Sequence, residues 1–458
     1  MRTRRQAALD APVRPAGGSR SLPLMERNPP ARQRAARPAG GLGGALLPAA
    51  NGLLERMVRR IGGDGLPAFR VQFADGRSVL HGQGEPAFAL VFRNARAERR
   101  LVALGYASLL ESYFAGEVDI DGDLAFAFRA ALAQNLDRVE NPLVALRNRR
   151  HEWRFSNAER AQAKANARFH YGLGQAFYRP WLDAPSMMYT CGYWREGTRT
   201  LEEAQRNKME HACRKVRLAA GERFVDIGSG WGGLLFHAWE QQRALGTGIN
   251  ACTEQVEETR AEIARRGLAP QIQVLEADFR DIPGQYDRMF SIGTLEHAGR
   301  DQLDDVVRAH AQCLRPGGLG LIHFIGHVAK RETVFYIREY IFPGGWIPSL
   351  SEALDAMERH GLEVVDVENL RRHYALTLDC WAERFDRAWP AIHALDPARF
   401  DERLRRTWRT YLWSCAELFR AERPQINLFQ VTVSKGNLGA DYPMSRAFLY
   451  PGPEPMAS

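Results

Sequence analysis

The run Phe224–Gly233 reads FVDIGSGWGG, an apolar strand pattern feeding a turn with glycine at 228, 230 and 233. Glycines at such a turn let the backbone pass close to a ligand, and Gly233 can pack closely at a helix start. Alone, the G-x-G-x-x-G spacing fits several cofactor classes. A dinucleotide site wants an acid about 20 residues further on to bind the ribose hydroxyl. Here that region reads GTGINACTEQ, and the second strand ends near Asn250 rather than on an acid. Asp226 lies just before the first glycine instead. A carboxylate there suits a cation, such as the amino group and sulfonium of S-adenosylmethionine, and repels a pyrophosphate. The stretch leans toward S-adenosylmethionine, with a dinucleotide as the alternative.

Further polar residues fall where strand ends are expected. Glu296 follows FSIGTL, and His323 sits in GLIHFIG. Both side chains can do acid–base work, and both have a structural alternative as a capping carboxylate and a satisfied histidine. In ADFRD, Asp278 can accept a hydrogen bond from an adenine amino group and Phe279 can pack on the ring, or both can be ordinary loop residues. PWLDAPSMMYTCGYW is aromatic and sulfur-rich for a loop, which fits either core or the lid of an apolar pocket. Cys191 within it has no base beside it in sequence, so a weakly polar ligand contact is as good a reading as a nucleophile.

The elements that must hold these residues follow from hydrophobic rhythm. RFVDIG, ALGTGI, IQVLEA, DRMFSIG, LGLIHFI, LEVVDVENL and NLFQVTVS alternate with helical patterns. That alternation predicts an open, mostly parallel sheet with helices on both faces, and ligands of such sheets lie outside the C-terminal strand ends. Earlier, FRVQFADGRSVLHG alternates around Asp-Gly and reads as a hairpin within a small α+β unit over about 68–133. EVDIDGDL resembles a calcium loop, but Leu124 stands where glycine is needed and Ala130 where the bidentate Glu belongs, so no metal is expected. Residues 134–165 are polar, arginine-rich and helical in pattern, a link between the two parts.

The chain has 458 residues, enough for more than one domain, and a formal charge of +8. Residues 1–50 hold nine arginines against Asp10 and Glu26, so nearly all of that charge sits in a Pro-, Ala- and Gly-rich tail expected to be disordered. The remainder is close to neutral, which argues against a nucleic-acid partner. In NGLLERMVRRIGG, Leu53, Leu54, Met57, Val58 and Ile61 lie at helical spacing opposite arginines, which fits a packed first helix or a basic amphipathic helix on an anionic membrane. The six cysteines are scattered without a C-x-x-C pair, which argues against structural zinc and suits a reducing compartment. No apolar run approaches the roughly 18–20 residues that span a bilayer, and the N-terminus lacks the apolar core of a secretory signal. The organisation expected is a basic tail (1–50), a small α+β domain for lipid, membrane or dimer contact (51–150), a catalytic domain (151–440) and a C-terminal tail (441–458).

SMMYTCGYW, VDIGSGWGG, DFRDI with YDRMFSIGTLEHAG, LRPGGLGLIHFIG, YIFPGGWIPS, HYALTLDCWAERF and LFQVTVSKG, in that order, resemble the cyclopropane-fatty-acyl-phospholipid synthase family and its mycolic acid relatives over roughly 165–437. A weaker likeness covers about 68–133. The resemblance implies a Rossmann-like methyltransferase domain with a seven-stranded sheet. It implies methylene transfer from S-adenosylmethionine to a cis double bond of an unsaturated phospholipid acyl chain, through a carbocation deprotonated by bound bicarbonate. The bicarbonate cradle carries over onto Cys191, Glu296, His323, the backbone of Ile325, and Tyr374. The cofactor contacts carry over onto Tyr189, Thr190, Gly228, Gly230, Asn250, Gln255, Asp278 and Phe279, beside Asp226 from the reading above. A cytoplasmic enzyme at the inner face of the membrane is implied, and a homodimer is hinted at. Ser229 stands where the family usually has Cys, LEH replaces FEH, and INACTEQ departs from the usual strand end. Two other outcomes compete: quenching of the same cation to a methyl or methylene branch, and a lipid-binding protein without turnover.

Overall fold

A computed structural model describes residues 68–133, 141–422 and 426–450, together with 52, 54 and 55. The tail at 1–50, most of the amphipathic segment 51–63 and the last residues of the C-terminal tail lie outside the described residues.

Four short strands form the first sheet: β1 (Phe69–Gln72), β2 (Ser78–His81), β3 (Phe88–Phe92) and β4 (Val118–Gly122), in the order β2-β1-β3-β4. β1 and β2 are the expected hairpin, and Gly76 at φ 86° supplies the left-handed residue that its turn needs. The would-be calcium loop is β4, antiparallel to β3. Helices Ala95–Leu104, Tyr106–Phe114 and Leu124–Ala133 accompany this sheet.

The second sheet holds β5 (Arg223–Ile227), β6 (Leu245–Asn250), β7 (Ile272–Glu276), β8 (Tyr286–Ile292), β9 (Leu314–His327), β10 (Leu362–Asn369) and β11 (Ile426–Lys435). Its order is β10-β11-β9-β8-β5-β6-β7. All seven runs read from the sequence are strands. The pairs β9–β8, β8–β5, β5–β6 and β6–β7 are parallel, and β11 runs antiparallel to both its neighbours. The order reverses between β5 and β8, so the crevice of a doubly wound sheet opens at their C-terminal ends. The glycine turn leaves β5 there, and Thr294–Glu296 leave β8.

Helices cover both faces. Leu201–Lys215, Gly233–Gln242 and Thr253–Arg266 bury Met209, Ala212, Leu235, Val256 and Ile263 against one face. Leu303–Cys313 and Leu350–Arg359 bury Val306, Val307, Ala353 and Met357 against the other. A third, aromatic core gathers Phe177, Tyr178, Trp181, Trp381, Phe385 and Trp408. It draws on the segment before the sheet and on helices Arg371–Leu395 and Glu402–Arg420. No described helix is long and apolar enough to cross a membrane.

Candidate active site

The glycine turn is held from three sides. Gly228 and Ser229 donate their backbone N–H to the Ile249 carbonyl (2.8 and 3.1 Å), which ties the turn to the end of β6. Gly228 has φ 81°, and a Cβ on it would lie 2.6 Å from Thr294 Oγ1, whose hydroxyl donates to Ile227 O. Gly233 opens the next helix, and a Cβ there would lie 2.4 Å from Ser186 O and 2.6 Å from Met188 Sδ. The Asn250 amide donates to Gly230 O and to Gln255 Oε1, both at 3.0 Å, so the end of β6 braces the turn. Asp226 is buried on β5, and burial pushes its carboxyl up to about 7 against the opposing pull of Lys208. An unsolvated carboxyl beside a close-approach turn suits a cationic ligand, whose charge would ionise it.

The segment 183–191 lies over this turn. The Asp183 carboxylate accepts from the backbone N–H of Ser186 (3.1 Å) and Met188 (2.8 Å), and Met187 sits at φ 51°, a left-handed position for a side-chain-bearing residue. This tight turn sends Met187, Met188, Tyr189 and Thr190 to the cavity wall, while Trp181 and Cys191 go into the core. The loop is thus both core and wall. Beneath it Lys208, fully buried, donates to Thr190 Oγ1 (2.8 Å), and Gln205 donates to Thr190 O (2.7 Å). Burial lowers the Lys208 pKa, and Asp183, Cys191 and Asp226 oppose that.

One cavity runs from this cradle past Glu296 to an apolar end. All nine residues expected at the cofactor line it: Tyr189, Thr190, Asp226, Gly228, Gly230, Asn250, Gln255, Asp278 and Phe279. Of the five expected at the reacting end, Glu296, Ile325 and Tyr374 line it. Glu296 sits in a short 3-10 turn after β8, where its Oε1 accepts from the Ile325 N–H (2.7 Å) and its Oε2 has no hydrogen-bond partner. Protein surrounds this carboxyl except toward the cavity, and burial pushes it up to about 7. Burial first, and then Tyr411, Cys191 and Glu296 among its neighbours, push the Tyr374 phenol up. Cys191 and His323 lie behind the wall. The buried Cys191 thiol donates to Gly192 O (3.1 Å), and burial keeps it protonated, so it is no thiolate nucleophile. His323 accepts at Nδ1 from Gln430 Nε2 (3.1 Å), which leaves the proton on Nε2; burial, then Lys208 and Lys215, push its pKa down to about 3, so the ring is neutral.

Sequence reading did not single out several other groups. Arg280 grips Asp278 through both carboxylate oxygens (2.6 and 2.8 Å) and lies over the Phe279 ring, fixing that pair. Tyr171 and His297 meet at 2.9 Å and line the cavity with Phe342 and Tyr411. Tyr189 packs among Tyr178, Trp181 and Trp381 at 5.1–5.3 Å. Only Lys208 had a sequence signal: it stands at helical spacing with Leu201, Ala204 and Ala212 on an apolar stripe, where a lysine is out of place.

Residues 158–431 match the family model described as Mycolic acid cyclopropane synthetase. A probable fatty acid methyltransferase of Pseudomonas putida is 35% identical over 349 residues, covering 74% of this chain and 85% of that protein. A cyclopropane-fatty-acyl-phospholipid synthase of Escherichia coli K12 is 33% identical over 342 residues, with the same two coverages, 74% and 85%. Among solved structures, the mycolic acid cyclopropane synthase CmaA1 complexed with SAH and CTAB superposes with a TM-score of 0.55 at 29% identity, covering 59% of this chain and 98% of that one.

Proposed function

This chain belongs to the mycolic acid cyclopropane synthetase family, and from that premise we propose that it transfers a one-carbon unit from S-adenosylmethionine to a cis double bond of an unsaturated phospholipid acyl chain, closing a cyclopropane ring. The observation that carries this reading is the continuity of the cavity. Asp226 and the glycine turn stand at one end, Glu296 and Tyr374 follow, and Ile337, Leu378, Leu418 and Ile426 form the apolar remainder. A cation donor and an alkyl chain need such neighbours.

S-adenosylmethionine, when bound, supplies an electrophilic methyl group on a positively charged sulfur. Asp226 would offset its charge, Gly228 and Gly230 would admit it closely, and Asn250 and Gln255 would meet its polar groups. An alkene is a weak nucleophile, so the apolar walls must hold it in line and keep water out. Tyr171, Tyr189, Phe342 and Tyr411 present ring faces and edges that tolerate a developing carbocation. Ring closure then requires loss of a proton from the added carbon. Glu296, with an unpartnered Oε2 and a pKa of about 7, can take or relay it. Bicarbonate would be a base held between Glu296 and Tyr374, beside the Ile325 backbone, whose N–H Glu296 takes, with Cys191 and His323 behind them. An anion fits beside Glu296 when that carboxyl carries a proton, which its raised pKa allows. The reading carries with it a cytoplasmic enzyme working at the inner face of the membrane.

A second reading, a methyl- or methylene-branched product, is favoured by the name of the Pseudomonas putida relative. Incubation of the pure protein with S-adenosylmethionine and unsaturated phospholipid, followed by mass spectrometry of the acyl chains, separates the two. The expected product gains one CH2 and resists mild hydrogenation. A gain of one CH2 that still takes up hydrogen selects the second reading, since loss of a proton from the same cation then leaves a branched alkene. No gain overturns both.

A further inference from the structure

We propose that the outward face of helix Pro142–Arg154 docks on an anionic lipid bilayer and brings the adjoining rim of the cavity to the lipid; this deepens the acyl-chain reading above and rests on it. Leu143, Leu146 and Trp153 are 64%, 64% and 81% exposed. Of the ten tryptophans in the chain, only Trp153 is exposed. These three lie at helical spacing on one side, roughly 15 Å from end to end at 1.5 Å per residue. The other side is anchored: Asn148 and His151 are buried, and the Asn148 amide donates to Thr333 O at 3.3 Å.

Arg149, Arg150 and Arg154 are exposed beside the apolar residues and form no ion pair with any described residue. The nearby acids are already matched, Glu152 with Arg300 and Arg338, and Glu339 with Arg147 and His151. An exposed Trp–Leu stripe edged with unmatched arginines is the composition of a helix that lies in an anionic membrane interface. Charge complementarity selects this occupant over two others. A second copy meeting this face about a two-fold axis would set arginine against arginine. The chain's own segment 1–50 carries nine arginines and would be repelled as well. Position gives the face a purpose. Thr333 and Val334 line the cavity, and Val334 is 37% exposed, so the cavity wall reaches the surface where this helix is tied down.

The test is co-sedimentation of the full chain with vesicles of phosphatidylcholine alone and of phosphatidylcholine mixed in equal parts with phosphatidylglycerol. Two variants are compared with the parent, one with Leu143→Ser, Leu146→Ser and Trp153→Ser, the other with Arg149→Gln, Arg150→Gln and Arg154→Gln. The arginine variant should partition about a hundredfold more weakly onto the anionic vesicles, because each basic group is worth roughly fivefold there. The apolar variant should lose binding to both vesicles, while both variants turn over detergent-dispersed phospholipid like the parent. Parent-like vesicle binding by both variants overturns the docking face. So does a dimeric parent whose variants are monomers that still bind vesicles. Loss of turnover on dispersed substrate in the parent itself would instead count against the catalytic reading.

Discussion

Asp226 and Glu296 are two carboxyls that burial pushes up to about 7, and the cavity gives them different work. Their ordinary values are 3.8 and 4.5, so between about pH 4.5 and 7 the folded chain holds protons that the unfolded chain has lost. The contribution of these two carboxyls to the stability of the free protein is therefore greatest at the acid end of that window and falls as pH rises through it. The buried His237, His297, His310 and His323, whose pKa burial lowers, contribute in the opposite sense. A cationic ligand reverses the balance at Asp226 by favouring its ionised form. S-adenosylmethionine should bind more tightly as pH rises through 7 and should release a proton. Calorimetry in two buffers of different ionisation heat reads that release, and its absence would remove Asp226 as the counter-charge. At Glu296 the proton belongs, on the proposed function, to the reaction. Glu296→Gln keeps the shape and removes the acceptor, so turnover should fall by about a hundredfold or more with S-adenosylmethionine affinity unchanged. Equal loss of both would make Glu296 a purely structural partner of the Ile325 N–H.

At the scale of elements, the helix beginning at Gly233 depends on contact with the Ser186–Met188 turn. Gly233→Ala would drive a Cβ into Ser186 O and Met188 Sδ, and backbone gives way less easily than a flexible side chain. The expected cost is about 1–3 kcal/mol of stability, with weakened S-adenosylmethionine binding because the same turn carries Tyr189 and Thr190. Thermal melts with and without the ligand check both effects, and a melt unchanged from the parent would refute the packing argument. The glycine turn was legible because its spacing encodes backbone geometry, and the seven strands because each is an apolar run bounded by polar or glycine residues. Placement across strands was not. His323 resembled a cavity residue from its strand-end position, yet its ring faces Gln430 of β11, a pairing fixed by an antiparallel neighbour more than a hundred residues away. Arg280 was hidden for the opposite reason, since a surface-type residue two positions from Asp278 gives no sign that it folds back onto it.

At the scale of the whole molecule, the first sheet contributes to the cavity without touching the cofactor end. Tyr336 lines the cavity and packs with Leu110, Phe114, Leu124 and Phe128 from the helices of that sheet. Its hydroxyl meets Ser414 Oγ at 2.5 Å on helix Glu402–Arg420. Arg406 on the same helix fastens the arrangement: it donates to Tyr113 O (3.0 Å) and Val118 O (3.1 Å), pairs with Asp119 (2.7 Å) and lies over the Tyr113 ring. Arg406→Ala removes the Arg406 donors from Val118 O, from Tyr113 O, which keeps the Gly116 N–H, and from Asp119, which keeps Arg93, so it should cost about 1–3 kcal/mol. Arg405→Ala, one residue earlier, loses only an exposed pair with Glu402 and should stay within about 0.5 kcal/mol. Function should separate along the same line. On the proposed function, loosening the Tyr336 wall should raise KM for the acyl substrate in the Arg406 variant, while S-adenosylmethionine affinity stays as in the parent. Hydrogen exchange should quicken across Tyr106–Gly122 and remain slow in β5 and β8. If cofactor affinity falls in step with KM, the first sheet supports the fold as a whole rather than the acyl end of the cavity.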